Sequence, residues 1–108
     1  MKNDIFQAIA DPTRRMILVL IAAQAMTPNE LAAHFASTRQ AVSKHIQILA
    51  DCKLVQQQKT GRTIYYHIDA TQLQQIDRWL EQFRQLWHDR FKQLDELLIN
   101  LNTDKHEN

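Results

Sequence analysis

Apolar positions recur at helical spacing along most of this chain, broken by one short stretch that alternates differently. Ile5, Phe6 and Ile9 predict a short first helix. Asp11-Pro12 then predicts a cap and the start of a second, whose Ile17, Leu18, Leu20 and Ile21 make it apolar nearly all round and so a core element. Thr27-Pro28 repeats the cap-and-proline signal. There Leu31, Ala32 and Phe35 give one apolar face to a helix of barely two turns. Thr38 caps a fourth segment, Arg39 to Cys52, which is apolar at Val42, Ile46 and Leu49 and polar at Arg39, Gln40, Ser43, Lys44 and Gln47.

Two short helices so close together read as a helix-turn-helix, one side of the second helix serving the core and another left for base edges and phosphates. Small residues at Ala32 and Ala36 suit the close crossing of the pair, although the intervening turn lacks the glycine often found there. Residues 54 to 68 change character. Gln56-Gln57-Gln58-Lys59-Thr60 leads into the single glycine of the chain, Gly61, and then Arg62-Thr63-Ile64-Tyr65-Tyr66, rich in β-branched and aromatic residues. This predicts a two-stranded wing with Lys59 and Arg62 at its tip and a positive φ at the glycine.

From Thr71 to about Leu101 there is neither glycine nor proline, and Leu73, Leu80, Trp87, Leu94 and Leu101 fall seven apart. Ile76, Phe83 and Leu97 keep the companion register, which only Arg90 interrupts. Such spacing predicts one long helix of ~45 Å that pairs with another. Trp79, Leu86, Phe91 and Leu98 widen its stripe beyond a two-stranded seam, so the face is expected to pack on the first helix, on a symmetry mate, or on both. The dimerisation residues expected from this are Ile5, Phe6, Leu73, Ile76, Leu80, Phe83 and Trp87. The fold class is therefore mostly α with a small β-hairpin, a winged helix-turn-helix over residues 1–70 with a long dimerisation helix over 71–101. A polar, frayed tail is expected over 102–108.

The 108 residues suit one domain, and no long apolar run or signal-like pattern points to a membrane or to export. A cytoplasmic protein is expected. A net charge of +1 becomes informative once divided: residues 1–68 hold eight Lys/Arg against four acids, and residues 69–108 five against eight. Between Thr38 and Arg62 only Asp51 opposes Arg39, Lys44, Lys53, Lys59 and Arg62, the footprint of a phosphate-binding surface.

Asp11-Pro12-Thr13-Arg14-Arg15, Ala41-Val42-Ser43-Lys44-His45-Ile46, Leu54-Val55 and Gly61-Arg62-Thr63-Ile64-Tyr65-Tyr66, in this order, resemble the ArsR family of small bacterial winged-helix repressors. The resemblance covers about the first 70 residues and implies a dimeric transcriptional repressor that can leave its operator. The extended Trp79–Phe91 segment is similar to the tail of a subgroup often encoded beside START-type or Aha1-type proteins.

On this reading double-stranded DNA is the partner, and Arg39 and Gln40 read base edges from the start of the recognition helix. Thr38, Ser43 and Lys44 hold phosphates. Ser43 and His45 fall on the family's Ser-x-His pattern, which makes His45 a further candidate for DNA contact, with a competing role as a packed residue beside Val42 and Leu49. Arg14 and Arg15 read either as solvated neighbours of the Asp11 cap or as phosphate or dimer contacts. No cofactor and no metal are expected. Thr27 and Asn29 stand where the family's thiolate sensors carry cysteines, Cys52 is solitary, and the five histidines form no i, i+4 pair. His88-Asp89 is a weak seed for an intersubunit metal site. An enzyme is not expected, since no triad, phosphate loop or convergent carboxylates are visible. The alternatives are a winged-helix protein-interaction module and a metal-responsive repressor using that histidine; an unidentified small ligand or protein inducer is left open.

Overall fold

The computed structural model of the chain describes residues 4–106, with side-chain surroundings through Asn102. The described residues divide into two compact units, 4–74 and 75–106.

In the first unit each helix begins where a side-chain oxygen can satisfy free amides. Asp4 caps α1 (Ile5–Ala8), Asp11 caps α2 (Pro12–Ala23), Thr27 caps α3 (Pro28–Ala32) and Thr38 caps α4 (Arg39–Asp51). At α3 the cap is reciprocal: Glu30 N–H donates to Thr27 Oγ1 at 3.1 Å and Thr27 N–H to Glu30 Oε1 at 3.2 Å. The hairpin β1 (Val55–Thr60) and β2 (Thr63–Ile68) pairs Thr60 with Thr63 across the two-residue turn Gly61-Arg62. Gly61 has φ +63°, as such a turn requires at its first position. Met26 adds a bridge on the other edge of β2, exchanging bonds with Tyr66 at 3.0 and 2.7 Å. The wing is thereby tied to the strand-like residue just before α3.

The core gathers Ile17, Leu31, Val42, Ile46, Leu49 and Leu54, all under 2% exposed. Each such side chain stabilises the fold by about 1.5–3 kcal/mol relative to exposure. α1, α2, α3 and β1 all pack on α4, so the recognition helix is held from several sides. Its end is fixed as well. Lys53 takes a left-handed conformation at φ +62°, with Lys53 N–H donating to Ala50 O and Leu54 N–H to Leu49 O, both at 3.0 Å. Buried Leu49 and Leu54 supply the apolar contact that accompanies this ending.

Three expectations change. α2 is not apolar and buried all round: Met16 and Val19 are 48% and 64% exposed, because α4 and β2 cover only the side carrying Ile17, Leu18 and Ile21. Phe35 lies beyond α3, half-buried in the turn, and Ala36 is exposed rather than packed at a crossing. That turn holds no residue with positive φ, so it has no need of a glycine.

The second unit is the greater part of α5 (Leu73–His106), about 51 Å long at the standard rise. It runs past the end expected near Leu101, since nothing in Asn102-Thr103-Asp104-Lys105 breaks a helix; the tail expected over 102–108 lies partly outside the described residues, at 107 and 108. Arg84 bridges Asp77 and Glu81 along its surface, and the Trp79 and Phe83 rings meet edge to face at 5.0 Å. Large apolar side chains remain open along it, Phe91 at 69% and Ile99 at 61% among them.

Candidate nucleic-acid interface

The exposed surface of α4 begins at its cap. Thr38 Oγ1 accepts Ala41 N–H at 3.1 Å, leaving the hydroxyl hydrogen free to donate outward. Gln40, Lys44, Gln47 and Asp51 follow at i, i+4, i+7 and i+11, one exposed stripe opposite the buried Val42, Ile46 and Leu49. Gln47 Nε2 donates to Asp51 Oδ1 at 2.8 Å, which engages the one acid of this helix with a neutral partner.

Arg39 lies to one side of that stripe. It lines a shallow groove of about 300 Å³ with Thr27, Pro28 and Asn29 from α3 and with Arg62, Thr63 and Ile64 from the wing. Two arginines 23 residues apart in sequence thus line one depression. Among the described residues ion pairs occur only at Arg84, so no acid lies within 4.0 Å of Arg39, Lys44, Lys59 or Arg62. Lys59 and Arg62 are both exposed at the end of the hairpin. The base of the wing is pinned: Asp69 N–H donates to Leu54 O at 2.9 Å, and the Asp69 carboxylate accepts Gln56 Nε2 and Thr71 N–H. Those bonds, that of Gln56 foremost, hold the Asp69 carboxyl below its ordinary pKa.

His45 is half-buried and turned away from the Gln40–Lys44 stripe. Its Nδ1 lies 3.2 Å from Arg14 Nη1. Arg14 also donates from Nε to Ala8 O at 2.6 Å and from Nη2 to Gln7 O at 3.2 Å, while Arg15 Nη1 reaches the carbonyls of Ile9 and Ala10. The two arginines of the Asp11–Arg15 segment therefore bind the open carbonyl end of α1, a role not read from sequence; two arginines in the first turn after a cap were its only signal.

Of the expected dimerisation residues, Ile5 is 3% exposed within the first unit's core, whereas its neighbour Phe6 is 37% exposed. Leu73, Ile76 and Leu80 are half-buried, and Phe83 and Trp87 are 38% and 52% exposed. Cys52 is buried, its Sγ 3.7 Å from Asp4 O, and burial pushes the thiol up. Among the described residues no three His, Cys, Asp or Glu side chains cluster as metal ligands, and no helix is long and apolar enough to cross a membrane.

A helix-turn-helix domain model matches residues 9–58. The chain is 37% identical over 81 residues to the transcriptional repressor SdpR of Bacillus subtilis (strain 168), covering 75% of this chain and 90% of that one. It belongs to the ArsR family of winged helix-turn-helix transcriptional regulators. An ArsR-like transcriptional regulator from Rhodococcus sp. RHA1 superposes with TM-score 0.66 at 31% identity, over 86% of this chain and 88% of that one. The crystal structure of another ArsR family regulator gives TM-score 0.68 at 34% identity, over 78% and 87%. This ArsR-family protein is thus a DNA-binding transcriptional repressor, and its relatives are regulators rather than enzymes.

Proposed function

We propose that this repressor acts in the cytoplasm as a homodimer on an imperfect inverted-repeat operator, residues 1–70 forming the DNA-binding unit and the long helix the pairing element. The observation that carries the reading is the acid-free basic surface spanning the start of α4 and the wing tip, one per chain. Two such surfaces related by a two-fold axis call for a palindromic site. Gln40 and Lys44, on the outward stripe of α4, are assigned to base edges, Lys44 in place of the phosphate role expected of it from sequence. Thr38, Ser43, Lys59 and Arg62 are assigned to the DNA backbone. Arg39 joins them rather than Gln40, because it shares a groove with Arg62 where one phosphate would meet both guanidinium groups.

Selection of bound fragments from genomic DNA at moderate salt tests this. Enrichment of a palindrome is the expected result; fragments without sequence preference would favour a winged helix that serves protein contacts instead. The same selection repeated with zinc, cadmium or arsenite is expected to recover the same fragments, because Thr27 and Asn29 offer no soft ligand. A small apolar ligand or a partner protein on the open apolar face of α5 fits the inducer better.

A further inference from the structure

Arg14 links α1 to the recognition helix. Its backbone is fixed first, since Asp11 Oδ1 accepts both Thr13 N–H at 2.8 Å and Arg14 N–H at 3.1 Å. Its side chain then spreads three donors over two helices. Nε and Nη2 hold the last carbonyls of α1, and Nη1 meets His45 Nδ1 on α4 at 3.2 Å. A guanidinium can only donate, so Nδ1 must be the bare nitrogen of the ring, and in the neutral imidazole the hydrogen sits on Nε2.

We propose that Arg14 is a positioning residue for operator recognition, setting the roll of α4 about its own axis through His45. The inference rests on the DNA-binding reading of α4. Val42, Ile46 and Leu49 anchor one side of that helix by shape alone, and apolar contacts tolerate small rotations. A hydrogen bond on the flank does not. His45 follows Ala41 by one turn and precedes Leu49 by one, beside the buried row and away from Gln40 and Lys44. Rotating α4 to move Gln40 by the few tenths of an ångström that matter for a bidentate base contact must stretch or break the bond to Arg14. Because the same guanidinium grips Gln7 O and Ala8 O, displacement of α1 is carried to the reading face through one side chain.

The test is a double-mutant cycle on the full chain, with a duplex selected by the native protein and a random duplex as probes. Arg14→Leu and His45→Leu are each expected to weaken binding to the selected duplex about tenfold, the worth of a hydrogen bond to a charged group, and the double variant to be no weaker than either. Binding to the random duplex should stay within about twofold, since no phosphate contact is lost. Arg14→Leu also uncaps α1, so its folding is followed by thermal unfolding. The pair His45→Gln and His45→Leu avoids that problem: glutamine keeps an acceptor for Arg14 and should restore selected-duplex binding, whereas leucine should not. Additive losses in the cycle, or equal binding by the two His45 variants, would overturn the proposal. A measurement without DNA separates it from the operator reading. The ¹⁵N spectrum of the His45 ring should show the Nε2–H form in the native chain and a mixture in Arg14→Leu; an Nδ1–H ring in the native chain refutes the contact itself.

Discussion

Removing both wing cations, in Lys59→Ala with Arg62→Ala, is the change whose size follows most directly from the geometry. Neither side chain has an acid within 4.0 Å among the described residues, and both are exposed at the hairpin end. No ion pair is broken, so the folded chain should keep its stability to within about 0.5 kcal/mol, as surface substitutions do. The loss is confined to DNA. Each phosphate contact contributes about 0.9 to the slope of log K against log salt, so the two contacts assigned to each chain, in the proposed dimer, lower that slope by about 3.6. Raising salt from about 50 to about 200 mM is a fourfold change. The advantage of the native protein over the variant should therefore shrink about 150-fold across that range.

Fluorescence anisotropy with labelled duplexes, selected and scrambled, measured at several salt concentrations, gives the slopes directly. The two duplexes should lose affinity in parallel, because backbone contacts carry no sequence information. An unchanged salt slope, or a loss confined to the selected duplex, would refute the assignment of the wing to phosphates and make it a base reader.

Arg39→Ala should resemble the wing variants in salt dependence, with a slope smaller by about 0.9 per chain, and Gln40→Ala should instead lower the ratio of selected to scrambled affinity by a factor matching about 1–3 kcal/mol. Lys53→Gly should stabilise the fold by about 0.5–1 kcal/mol in urea unfolding, because glycine relieves the left-handed strain at φ +62° and gives back part of that in chain entropy. Thr38→Ala should cost about 1 kcal/mol through the lost cap of α4, and Thr38→Ser much less. The Asp11 carboxyl is held below its ordinary value, first by the Arg14 N–H bond, against a rise from burial, and then by Thr13 N–H and the Arg14 charge. The unfolded chain binds this proton first as pH falls, so the contribution of Asp11 is complete above the ordinary carboxylate range and is lost as pH drops through the depressed value. Asp11→Asn keeps a capping oxygen and should flatten the stability profile in that acid range.

What could be read from sequence was local. Thr27, Thr38 and Asp11 announce helix starts because a cap acts within three residues, and Gly61 announces its turn because the backbone needs positive φ there. Thr27-Pro28-Asn29-Glu30 also carried the reciprocal cap in plain view. Contacts made across the fold left no such mark. The Met26–Tyr66 bridge joins residues 40 apart, and the Arg14–His45 contact spans 31. Lys53 shows the opposite case, a left-handed residue that composition argues against, held there because Leu49 and Leu54 are both buried around it.

The near-neutral total charge shows the basic surface only once it is divided along the chain, because charge acts locally, over about one Debye length of 8–10 Å. On α5 the acids Asp77 and Glu81 meet Arg84 along the same helix and cancel within a turn or two. On α4 the single acid, Asp51, accepts from Gln47 at the far end from Arg39, so the N-terminal end of the helix stays positive. Arg84 is thereby neutralised on α5, whereas Arg39 and Lys44 on α4 have no acid within 4.0 Å among the described residues. Cations left open in this way can exchange counterions for phosphates, which is why we assign affinity for DNA to the start of α4 and the wing and propose that α5 interacts through its apolar stripe.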